Sequence, residues 1–130
     1  MTCRRFYRRK LCVFASCVLS ILCEPAFALT TDIAKYLKVK APSAMMTASG
    51  DAAEFEQCLV RHMSRLSGSS AMVYREGGLT TVAMFKYFVL GSATFDPNQA
   101  PVVAEVRSKP GRMATRQCSK NEKAIKGRSD

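Results

Sequence analysis

Two cysteines constrain this fold more than any other feature. Of the six in the chain, Cys3, Cys12, Cys17 and Cys23 lie in an N-terminal segment that reads as a removable export signal, leaving Cys58 and Cys118. In an exported protein an even pair of cysteines is most simply a disulfide. Such a bond closes a loop of roughly 60 residues, about 4 kcal/mol in the chain-entropy account. It also holds the element carrying Cys118 against the element carrying Cys58.

The export reading rests on residues 1–28. Arg4, Arg5, Arg8, Arg9 and Lys10 form a basic start, and Leu11–Cys23 is apolar apart from Ser16 and Ser20. Pro25 breaks the run, and Ala26-Phe27-Ala28 is an A-x-A cleavage site. A helix through that run spans about 20 Å, short of the roughly 30 Å hydrocarbon core, so no transmembrane anchor is expected. Phe14-Ala15-Ser16-Cys17 only faintly resembles a lipoprotein box, because the apolar run before it is too short. The twin arginines lack the motif that would follow them in a folded-export signal. The expected location is periplasmic or extracellular, after cleavage near Ala28.

Cleavage leaves 102 residues, enough for one domain with a single modest core. The expected organisation is a signal over 1–28, one domain over 29–118 and a disordered basic tail over 119–130. Asp51–Leu66 carries the clearest helix pattern. Asp51 can cap it, with Glu54 three residues on. Phe55, Cys58, Leu59, His62 and Leu66 share one face, and Gly68 stops the helix. Thr30–Lys40 can form a shorter helix ending before Ala41-Pro42. Pro42–Gly50 reads as a surface linker.

Beyond Gly68 the pattern changes to strands over Ala71–Arg75, Leu79–Leu90, Pro101–Arg107 and Arg112–Cys118. Glu76-Gly77-Gly78 and Lys109-Pro110-Gly111 suit turns. The spacing therefore predicts an α+β fold. Two N-terminal helices would pack on one face of a four-stranded antiparallel meander, tied by one disulfide.

Chemistry is sparse. Cys58 and His62 stand at i and i+4, the spacing of a thiol nucleophile beside an imidazole base. With no third orienting group in view, a half-cystine beside a packing histidine is the preferred reading. Adding Cys118 with Met63 or Met113 would make a donor set for Cu(I), but the methionines are scattered rather than clustered. No metal or cofactor is expected.

Charge is more distinctive. After cleavage the net charge is +6, and all of it falls in residues 107–130. Arg107, Lys109, Arg112, Arg116, Lys120 and Lys123 form a candidate surface for an anionic partner: protein, glycan or lipid head group. Nucleic acid suits it poorly, since no aromatic residue is interleaved with the charge. The function expected is a non-enzymatic, exported binding or envelope-associated domain. The alternatives are a small thiol-dependent enzyme using Cys58 and His62, and a secreted inhibitor or toxin docking on an acidic cleft.

Overall fold

The computed structural model describes residues 29–125 of the 130-residue chain. Residues 1–28, where the export signal is read, lie outside the described part, as do residues 126–130. The chain divides into two compact units, Met1–Asp32 and Ile33–Asp130. Of the first, only residues 29–32 are described, and they open a helix, α1, that runs over residues 29–39. Among the described residues no helix is long and apolar enough to cross a membrane.

After α1 come β1 (Ala44–Ala48), α2 (Ala52–Met63), β2 (Ser70–Glu76), β3 (Leu79–Phe85), β4 (Val89–Phe95), β5 (Val103–Arg107), α3 (Lys109–Arg116) and β6 (Ser119–Ala124). Among the described residues the fold is α+β, with three α-helices beside one six-stranded antiparallel sheet in the order β2-β3-β4-β5-β1-β6. β2 to β5 follow one another as a meander. β1 is inserted beside β5, and β6 closes that edge.

The strand alternation separates two packing faces. On one, Val82, Met84, Ala93, Phe95, Ala104, Val106, Ala44, Met46 and Ala48 form the floor of the main core. α2 lays Phe55, Leu59 and Met63 onto it, and α3 adds Ala114. Phe55 meets Phe95 edge-on, with ring centroids 5.1 Å apart. On the other face Ile33, Tyr36 and Leu37 of α1 pack with Ala83, Val89, Met72, Tyr74 and Phe85. The helices thus cover both faces, whereas the sequence pattern placed them on one.

Local signals explain much of this. Asp51 caps α2 by accepting from the Glu54 N–H at 2.9 Å. Gly77 and Gly78 both have positive φ (59° and 77°), which the two-residue β2–β3 turn needs. Four expectations are corrected. The stretch expected as a linker contains β1, whose Ala44, Met46 and Ala48 are small or flexible enough to sit in mid-sheet. Leu79–Leu90 is two strands, turning at Lys86-Tyr87-Phe88 without any glycine or proline to mark the turn. Arg112–Cys118 falls mainly in helix α3: the Ser108 hydroxyl caps it and Pro110 sits in its first turn, where a missing N–H costs nothing. Residues 119–124, expected as disordered tail, pair with β1 as β6.

Two close contacts hold the core face. Cys58 of α2 and Cys118 at the α3–β6 junction form a disulfide, with Cα atoms 5.9 Å apart. α3 meets β4 where two glycines face each other; a Cβ on Gly91 would lie 2.6 Å from both the Gly111 nitrogen and the Ser108 hydroxyl oxygen. Gly91→Ala is therefore expected to push α3 off the sheet and cost about 1–3 kcal/mol, read as a lower urea midpoint. A midpoint equal to wild type would show that α3 yields freely. Opening the disulfide, by reduction or by Cys58→Ser with Cys118→Ser, is expected to cost about 4 kcal/mol from loop entropy. In the oxidised chain neither sulfur should alkylate.

Candidate functional site

The strands run between two ends of the sheet, and charge is divided between them. One end, here the tip end, carries the β3–β4 loop at Lys86–Phe88. Strand register brings to it the end of β5 and start of α3, the start of β1 and the end of β6. The approach from α2 into β2 also lies there. The opposite, cap end holds Asp51, the β2–β3 turn and the loop after β4.

Residues 33–125 contain seven acidic groups. Asp51, Glu54, Glu56, Glu76 and Asp96 belong to the cap end, where Glu56 pairs with Arg75 at 2.8 Å. The other two, Glu105 and Glu122, lie along the strands and are paired with arginines. Glu105, level with Lys123 opposite Met45, is the nearest of them to the tip end and is paired with Arg107. Lys38, Lys40, Arg65, Lys86 and Lys109, all exposed, are at the tip end. The tip end also carries four of the exposed large apolar side chains, Val39, Tyr87, Phe88 and Ile125. Lys86 sits over the Tyr87 ring, 5.8 Å from its centroid.

The basic residues singled out in the sequence do not form one surface. Arg107 is 8% exposed and lies on the sheet face that α1 covers. Its Nε donates to the Lys40 carbonyl at 2.9 Å and its Nη2 to Glu105 at 3.3 Å, so it fastens the C-terminal end of α1. Around it the Tyr36 hydroxyl, the Ser92 hydroxyl and Arg107 Nη1 have no hydrogen-bond partner among the described residues. Burial raises the Tyr36 pKa above its ordinary value, with Ser108 and Arg107 opposing. Ser108 itself is committed to the Leu90 carbonyl at 2.6 Å.

Arg112 and Arg116 both grip Glu122: Arg112 Nη2 reaches its Oε1 at 2.8 Å and Arg116 Nε its Oε2. One carboxylate thus offsets one of two positive charges. Lys120 begins β6 near the cap end, Lys123 lies near the opposite end of the same edge strand, and Lys109 is at the tip end. Linear proximity had grouped residues that α3 and β6 carry in opposite directions along the sheet. Lys38, Lys40, Arg65 and Lys86 were missed because they fall in residues 29–106, whose seven basic and seven acidic groups balance when summed.

The thiol site is also resolved. Cys58, His62 and Cys118 offer ligand atoms within 4.8 Å of one another. That spacing serves a metal or a nucleophile only when the sulfurs are reduced, since the active species is the thiolate. Joined to each other, Cys58 and Cys118 leave His62 no thiol to activate.

The Glu122 carboxyl is held below its ordinary value of 4.5, first by the Arg116 hydrogen bond and then by Arg112, against desolvation. A carboxylate with a depressed folded value adds stability that is complete above its unfolded value and lost as pH falls through the folded one. Glu122→Gln should therefore cost on the order of 1 kcal/mol near neutral pH. Thermal melts of the two proteins should converge in acid; a constant difference across the range would assign the cost to packing.

Comparison with protein-family models, with curated proteins and with solved structures finds no match to this chain.

Proposed function

We propose that the protein is an exported, non-enzymatic binding domain whose tip end takes an anionic partner. The observation that carries the reading is the segregation of charge. Five exposed cations share the tip end, the nearest acidic group of residues 33–125, Glu105, is paired with Arg107, and five of the other six belong to the cap end. Such a field draws anions toward one end and repels them from the other. Export is supported by the layout of residues 1–28 and by the Cys58–Cys118 bond, which persists in oxidising compartments. A binding role is favoured over a thiol enzyme because the Cys58 sulfur beside His62 is closed by that bond.

The test is retention of the exported, oxidised chain on a polyanionic resin such as heparin. Its mass should begin at Leu29. Retention is expected to fall with salt and to weaken in Lys40→Glu with Lys109→Glu, while Lys120→Glu, near the cap end, has less effect. Equal losses from both changes, or retention indifferent to salt, would sink the tip-end assignment.

A further inference from the structure

Charge alone leaves the exposed aromatics of the same end without a role. Tyr87 is 83% and Phe88 65% exposed, at the apex of a three-residue loop closed by a backbone bond from the Lys86 N–H to the Phe88 carbonyl at 3.3 Å. Val39, 82% exposed, flanks Lys40 at the end of α1. Ile125, whose N–H donates to the Ser43 carbonyl, brings a fourth apolar side chain to this end. Three separate elements thus each contribute an apolar group beside the same cations.

Resting on the proposed anion-binding role, we infer that the partner is the surface of a bilayer containing anionic lipid. The tip loop enters the headgroup layer, and the lysines and Arg65 meet lipid phosphates. The argument is one of joint complementarity. A soluble anion or an acidic glycan answers the cations but leaves Tyr87, Phe88 and Val39 in water. An anionic bilayer offers both chemistries a few ångströms apart: phosphates that attract Lys and Arg, and below them an apolar zone where aromatic rings settle at the interface. Either signal alone gives weak, reversible attachment, whereas the two together hold a protein at a membrane surface. The acidic cap end, with Asp51, Glu76 and Asp96, would be repelled by the same surface, so it also sets orientation: strands upright, tip down.

The chain has no tryptophan, so Tyr87→Trp supplies a single indole, at the apex. The experiment uses the exported oxidised chain with vesicles of phosphatidylcholine alone or mixed with phosphatidylglycerol, followed by co-sedimentation and by the emission of the introduced indole. The expected result is binding only to the anionic vesicles, with a blue shift of that emission, and at least about tenfold weaker binding for Tyr87→Ser with Phe88→Ser. Heparin retention of that double variant should be unchanged, and its melt should match wild type, because both side chains are exposed. Heparin retention without vesicle binding, or vesicle binding that the double variant keeps, overturns the bilayer assignment and leaves the anion-binding role standing. Loss of both heparin and vesicle binding overturns that role as well. A blue shift only upon adding an acidic polypeptide would overturn the bilayer assignment and identify a protein partner instead.

Discussion

The Cys58–Cys118 bond joins the two parts of the chain that local sequence alone would leave independent. α2 covers β2 and β3; α3 packs on β4 and β5, and β6 edges the sheet beside β1. The bond links α2 to the point where α3 gives way to β6. It therefore clamps the main core from above, across the middle of the sheet. The polar, lysine-bearing β6 buries little of its own, and only Ser119 among its residues is less than exposed. Its place at the edge rests on the ladder with β1 and on Cys118 immediately before it.

What was legible in the sequence had a local physical cause. Asp51, the Phe55–Leu59 face and the Gly77-Gly78 turn each act within a few residues, and each was readable. The disulfide was readable by counting cysteines beyond residue 28. What was not legible depended on distant partners. β1 is built from alanine, methionine and threonine, whose strand character appears only between β5 and β6. Lys109-Pro110-Gly111 suits a turn equally well; helix wins because Ser108 caps it and Gly111 lets it approach β4. The tip loop hides in an apolar run because its three residues are solvent-facing for reasons other than turn chemistry.

The same logic explains the charge pattern. Along residues 29–130, positive charge collects in the last quarter. In space, α3 and β6 run opposite ways between the two ends of the sheet and spread it out. Meanwhile Lys40, Arg65 and Lys86, from three unremarkable stretches, converge on one end. Antiparallel topology does this generally: it sorts residues by their distance from a turn rather than by their position in sequence.

The register break in β4 has its own consequence. Met84 faces Gly91 while Phe85 faces Val89, so Leu90 is an extra residue in the ladder, and it packs toward the main core. A bulge of this kind resets the inward–outward phase of a strand. Val89 therefore faces α1, while Gly91, two residues later, faces α3. Leu90 acts as a phase joint in the hairpin. Beyond it Val89 and Phe85 still pack against α1, and only at Tyr87 and Phe88 do large apolar side chains stand in solvent. Substitutions can accumulate at the apex without reaching the core, so the hairpin can change what it touches while the sheet beneath stays the same.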